Sequence, residues 1–256
     1  MSRLLEGKLA LILGIANKWS LAYAIAQAFS REGARLALTY LGEHQKDAVT
    51  SLGASLAVDG ILPCDVTKDD DLAALARELG AMGRPLDAVV HSLAFANRED
   101  LAREFVETGR AGFLLAQEVS AYSLVAVARA TAPLMTSGGS ITTLTYLGST
   151  RVVPNYNVMG VAKASLEASV RYLASDLGPK NIRVNALSAG PVKTASARAI
   201  RDFSSVLETV SSRAPLRRNT EPAEVGDAAV FLASSLGRGV TGNVLFVDSG
   251  MHLMGL

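Results

Sequence analysis

Thiols and imidazoles are nearly absent from this chain: Cys64 is its one cysteine, and three histidines are scattered over 256 residues. That excludes an internal disulfide and a metal centre of ordinary ligand count. Hard chemistry would therefore need an organic cofactor. Charge of one sign is lacking too, with 25 basic residues against 24 acidic and a formal net charge of +1. Such a balance gives no electrostatic footprint for nucleic acid or an anionic membrane. No run of about 18 uncharged apolar residues occurs, and the apolar part of Met1–Lys8 is too short for a signal peptide. The expectation is a soluble cytoplasmic protein whose working partner is small or local. What the chain does have is 49% hydrophobic residues, enough to bury a sizeable core.

Strand-like and helix-like runs alternate from end to end, and no linker, charge block or repeat interrupts them. This predicts one domain over residues 1–256. Leu9–Leu13 is continuously apolar, as a strand covered on both faces would be, and runs into Gly14. Ser20 is placed as an N-cap, Leu21, Ile25, Ala28 and Phe29 recur at helical spacing, and Gly33 sits where a helix end takes a left-handed residue. Further strands are expected at Leu36–Tyr40, in a run ending at Asp65, and at Ala88–Leu93, Ser140–Thr145, Ile182–Leu187 and Val244–Asp248, seven in all. Helices are expected after a capping box at Thr67 and Asp70, with Leu72, Leu75 and Leu79 on one face, through Tyr122–Ala132, from near Tyr156 with a stripe of Leu166, Val170, Leu173 and Leu177, and after Pro222. Alternation at this spacing calls for right-handed crossovers and a doubly wound, Rossmann-type α/β fold with a seven-stranded parallel sheet. Ligand should then sit at the carboxyl ends of the strands.

The loop from Gly14 to Ser20 joins the first strand to the first helix, where free backbone N–H groups and the helix dipole attract a pyrophosphate. It lacks the second and third glycines of the dinucleotide fingerprint, so an ordinary turn is the alternative. Asp65 could accept from an adenine amino group or serve as a local cap. Tyr146, Tyr156 and Lys163 all fall on the ligand side. Tyr156 and Lys163 are seven residues apart, about 10 Å of helical rise, which would set both on one helix face. A lysine near a phenol favours phenolate and strengthens it as a proton donor. A packed tyrosine with a solvated lysine is the bland alternative.

Gly14 with Ser20 and Ala22, Arg183-Val184-Asn185-Ala186, Ser188-Ala189-Gly190-Pro191 and Asp248-Ser249-Gly250 resemble the short-chain dehydrogenase/reductase superfamily over nearly the whole chain. Most members place a catalytic tyrosine four residues before the lysine, but that position here is Met159. The pair Tyr156 and Lys163, with Tyr146 before it and the run Val153 to Gly160 around it, is similar to bacterial enoyl-acyl carrier protein reductases. The resemblance implies reduction of a 2-enoyl thioester with NADH in dissociated fatty acid synthesis. Tyr156 would bond the thioester carbonyl, whose oxygen lies two carbons beyond the carbon that takes the hydride, and Lys163 would hold the nicotinamide ribose. Tyr146 would line the pocket or support Tyr156, the three forming the catalytic set. By the same likeness Gly14, Ser20, Leu21, Asp65, Val66, Ser92, Leu93, Gly190, Pro191, Val192 and Thr194 join Lys163 around the cofactor. Ala96, Met159, Ala197, Ile200 and Phe203 join the two tyrosines around the substrate.

A mobile flap over the acyl chain is implied at about residues 193–212, where Ile200, Phe203 and Leu207 also fit an amphipathic core helix. Acyl carrier protein is the implied macromolecular partner, docking near Lys193, Arg198 and Arg201. A homotetramer is implied, with the helices at Tyr122–Ala132 and after Tyr156 as interfaces. Ala94 stands where the family often has glycine, and His91 is read as packing. After the second strand, Thr39 to Glu43 offers neither a carboxylate placed for a ribose 2'-hydroxyl nor an Arg or Lys for a 2'-phosphate, which leans the choice to NADH over NADPH. A carbonyl or hydroxyl oxidoreductase of the same superfamily, which Met159 opposes, and a nucleotide-sensing regulator without turnover are the competing readings.

Overall fold

The computed structural model describes residues 3–192 and 203–255. Seven strands, β1 (Leu9–Leu13), β2 (Arg35–Tyr40), β3 (Val58–Pro63), β4 (Ala88–His91), β5 (Gly139–Thr145), β6 (Ile182–Ala189) and β7 (Val244–Val247), form one sheet in the order β3-β2-β1-β4-β5-β6-β7. Every neighbouring pair is parallel. The winding reverses between β1 and β4, which opens a crevice at their carboxyl ends.

The sheet is buried because each face carries helices. On β1, Ala10 and Ile12 enter a core with Ile25, Phe29 and Val225, whereas Leu9, Leu11 and Leu13 enter another with Leu75, Leu124 and Leu166. This is the period of two expected of a strand, with both phases apolar. Helices α1 (Leu21–Arg31) and α9 (Pro222–Ala233) cover the first face. The second is covered by α3 (Asp69–Ala81), α6 (Ser123–Thr131) and α7 (Val158–Leu177). The others are α2 (Glu43–Gly53), α4 (Arg98–Ala102), α5 (Arg110–Gln117) and α8 (Phe203–Arg213).

From α5 the chain passes through a π turn, Glu118–Tyr122, directly into α6. The whole run Arg110–Leu134 has a mean hydropathy of 1.4 in its most apolar window and is long enough to cross a membrane. Half of that window is buried within the fold, so it packs as a core helix. The π turn sets Ser120 inward, where its hydroxyl accepts from the Phe95 N–H (2.9 Å) and reaches Met159 Sδ (3.6 Å).

Four local expectations are corrected. Periodicity gives no helix between Tyr40 and Asp65, yet α2 occupies Glu43–Gly53; it buries only Val49 and Gly53 and so leaves no apolar stripe to read. The third strand ends at Pro63. The Thr67–Asp70 capping box does not form, because Thr67 donates through its hydroxyl to Asp65 Oδ1 (2.7 Å) and α3 begins after Lys68. Tyr156 is not on the helix face shared with Lys163: α7 begins at Val158, and Asn155 (φ 63°) and Asn157 (φ 39°) hold Tyr156 in a left-handed turn before it.

Candidate active site

Two adjoining cavities open at the carboxyl ends of the strands, one of about 570 Å³ and one of about 920 Å³, with Leu21, Ala94 and Phe95 in the wall of both. The smaller follows the first crossover. Gly14 has φ 101°, and a Cβ there would overlap the Ser92 carbonyl oxygen, so only glycine lets β1 and β4 approach this closely. Ser20 stands at the N-cap of α1 as expected, but its side chain makes no capping bond: its hydroxyl donates to the Asn17 carbonyl (2.5 Å), and the first turn of α1 holds no acidic side chain. The first turn of α1 thus brings no anion of its own to the positive end of the helix, which suits a phosphate. Asp65, Val66, Ser92, Leu93 and Lys163 complete this wall together with Thr39, Leu41, Gln45 and Cys64. Asp65 does act as a local cap, accepting from the Thr67 N–H (3.1 Å) as well as its hydroxyl. Burial pushes the Cys64 thiol up to about 12, so it lines the cavity as an unreactive apolar group.

The larger cavity brings together Ala96, Tyr146, Tyr156 and Met159 with Gly190, Pro191 and Val192. Tyr156 lies against Gly148, where a Cβ would run into its ring, and its ring meets Tyr146 edge to face, centroids 5.1 Å apart at 70°. Behind it the Asn157 amide donates to the carbonyls of Leu101 (3.2 Å) and Arg103 (2.7 Å) and so fixes the turn to the cavity wall around α4. Burial, with Tyr146 and Glu167 adding to it, pushes the Tyr156 phenol well above its ordinary range. Burial and then Asp248 push the Tyr146 phenol up as well. Both are therefore neutral donors at physiological pH. Lys163 is not among the groups that shift either phenol; it turns elsewhere, donating through Nζ to the Leu144 carbonyl (2.8 Å).

Lys163 is only 5% exposed. Burial lowers it to about 8, against an opposing pull from Glu167, so at pH 7 the ammonium outweighs the amine by about ten to one. His91 bridges Thr143 (2.9 Å) and Ser123 (2.8 Å), and burial, then Lys163, push it down to about 3. It is a neutral packing residue, as expected. Thr194, Ala197 and Ile200, with Lys193, Arg198 and Arg201, lie outside the described residues, and Phe203 enters only as the first residue of α8. Sequence reasoning missed Thr145, Gly148, Asn157, Glu167 and the wall from Asn97 to Arg103. Thr145, adjacent to Tyr146, Asn157, adjacent to Tyr156, and Glu167, one turn after Lys163, carried a positional signal.

A family model described as enoyl-(acyl carrier protein) reductase matches residues 14–252. The chain belongs to that family. An enoyl-[acyl-carrier-protein] reductase [NADH] of Bacillus cereus is 54% identical over 98% of this chain and 99% of its own length. An enoyl-[acyl-carrier-protein] reductase [NADPH] of Staphylococcus aureus is 48% identical over 97% and 98%. Among solved structures, the Bacillus cereus reductase with NADP+ and indole naphthyridinone superposes with a TM-score of 0.97 at 55% identity, covering 99% of each chain. The Anaplasma phagocytophilum reductase with NAD gives 0.95 at 46% identity, covering 100% of this chain and 96% of that one.

Proposed function

We propose that this chain is an NADH-dependent enoyl-acyl carrier protein reductase, reducing the C2=C3 double bond of trans-2-enoyl thioesters in dissociated fatty acid synthesis. The observation that carries the reading is the place of Tyr156: a neutral phenol on the cavity wall, in the turn before α7, with Met159 at the position four before Lys163. NADH, when bound, would supply the hydride that adds at C3, and a proton taken up at C2 completes the reduction. The residues from Gly14 to Leu21 would hold its pyrophosphate, and Lys163 its nicotinamide ribose. Tyr156 donates to the thioester oxygen, where charge accumulates as C3 is reduced; one such donor contributes about 2.7–4 kcal/mol to the transition state. Its raised pKa keeps the proton available for that bond. Tyr146 supports the ring of Tyr156 from the side, and Ala96 and Met159 form an apolar wall for the acyl chain.

Residues 1–256 act in this reading as one dinucleotide-binding and catalytic unit, with 193–212 as the flap over the acyl chain. Its macromolecular partner is acyl carrier protein, and its compartment the cytoplasm. A homotetramer is supported by the exposed Leu114 and Tyr122 on the α5–α6 run and Val161 and Tyr172 on α7, large apolar side chains on neighbouring helices. The test is consumption of NADH, followed by its absorbance, with a short enoyl thioester and separately with the matching 3-ketoacyl thioester. The enoyl substrate should be reduced and the ketoacyl hardly at all; faster turnover of the ketoacyl thioester would refute the assignment.

A further inference from the structure

The buried face of α7 carries two charged side chains among its apolar ones, Lys163 and Glu167, one helical turn apart. The mechanism uses the first and leaves the second without a task. Glu167 is only 7% exposed, and an isolated carboxylate at such a place costs several kcal/mol unless it is satisfied. Its Oε1 accepts a short bond from the Thr145 hydroxyl (2.6 Å) at the end of β5, whose backbone is fixed in register with Ser188 of β6. Thr145 also lines the larger cavity, directly before Tyr146. Although i and i+4 partners normally close on each other, Lys163 and Glu167 form no direct ion pair among the described residues. The lysine bonds the Leu144 carbonyl and the glutamate bonds Thr145, on adjacent residues of the same strand.

We propose that Glu167 is the positioning residue for Lys163: it supplies the negative charge that keeps the buried lysine an ammonium, while Thr145 holds the carboxylate off Nζ so that the ammonium stays free for the nucleotide. The proposal rests on the nucleotide site described above and adds a division of labour within it. An ammonium has three donors, and among the described residues one is engaged, by Leu144. A glutamate closed onto Nζ would compete for the others.

The remaining ionisable groups around this pair do not replace Glu167. His91, facing the lysine from β4, is held neutral by burial. Tyr146 and Tyr156, from beyond β5 and the turn before α7, are neutral phenols. Asp248, following β7, is engaged by the Gly250 and His252 N–H groups and by the His252 ring, and Glu167 is the carboxylate whose field opposes the desolvation of Lys163.

The two halves of the proposal give opposite signatures. Isotope-labelled lysine in the full-length protein without cofactor is titrated by NMR, with Lys163→Met identifying the signal, and NADH affinity is measured by fluorescence in parallel. In wild-type protein the signal should titrate near pH 8. Glu167→Gln keeps an acceptor for Thr145 but removes the charge, so the midpoint should fall by about one unit or more, a tenfold change in proton affinity. Thr145→Val releases the carboxylate toward Nζ, so the midpoint should rise while NADH binding weakens, and Thr145→Ser should restore both. A purely structural role for Glu167 predicts no such opposition. If Glu167→Gln fails to fold, the Thr145 pair still decides, because a midpoint that stays put or falls in Thr145→Val overturns the proposal. An unchanged midpoint in a folded Glu167→Gln that binds NADH overturns the role of Glu167 alone. Failure of the wild-type protein to bind NADH would instead overturn the nucleotide site.

Discussion

Tyr146 and Tyr156 meet edge to face, with ring centroids 5.1 Å apart and planes at 70°, so the edge of one phenol braces the face of the other. Such a contact contributes about 0.5–1.5 kcal/mol, much less than one oxyanion donor. The two hydroxyls are therefore separable by mutation. Tyr156→Phe should lower kcat with an enoyl thioester by about 100-fold or more while leaving the dissociation constant of NADH unchanged. Tyr146→Phe keeps the ring contact and should cost less than about tenfold. Steady-state kinetics with a fluorescence titration of NADH checks both, and a larger loss at Tyr146 would exchange their roles.

Lys163 gives two pH effects of opposite sign. Its folded pKa, about 8, lies below the roughly 10.4 of an unfolded lysine, so between those values the folded state has already released the proton that the unfolded state keeps. Stability should rise with pH across that window, by about 3 kcal/mol relative to Lys163→Met. NADH affinity depends on the ammonium and should instead fall as pH passes about 8. Denaturant melts and NADH titrations of both proteins over this range make the comparison. Affinity that tracks stability would contradict the ribose role.

On the proposed reading, the choice between NADH and NADPH would be set by the loop beyond β2. Lys46, the lysine of α2, is bound to Glu43 (3.2 Å) and lies over the Tyr40 ring (5.8 Å). With that cation engaged, a 2'-phosphate would meet Leu41 and Gln45 in the cavity wall, and NADH should have the higher kcat/KM. Glu43→Ala frees Lys46 and should improve NADPH by about two- to five-fold, the scale of an exposed charge pair, with NADH little changed. NADPH preference in the unaltered protein would contradict this reading of the loop.

The architecture was legible because each strand of a doubly wound sheet is an apolar run bounded by a turn, and Leu9–Leu13, Leu36–Tyr40 and Ile182–Leu187 show it plainly. α2 was not legible, since a helix that buries two residues leaves no stripe. At the candidate site, types and spacing singled out Tyr146, Tyr156 and Lys163 but left a packed tyrosine with a solvated lysine open, and their proposed roles came from the family resemblance. Their geometry was not legible, because it depends on left-handed turns at Asn155 and Asn157 that a helical projection cannot register. Thr145 and Glu167 stayed hidden for another reason: residues 22 apart in the chain become partners only when α7 packs on β5. The carbonyl that takes the Lys163 bond belongs to Leu144, whose side chain gives no hint of it.

The central claim is that reducing equivalents enter at C3 while Tyr156 holds the thioester oxygen two carbons away. Its most direct test is the position of deuterium in the product after turnover of a trans-2-enoyl thioester with NADH deuterated at the transferable position. One deuterium on C3 of the saturated thioester, formed much more slowly but at the same carbon by Tyr156→Phe, is the predicted result. Label at C2 or on the carbonyl carbon, or none in the product, would contradict it.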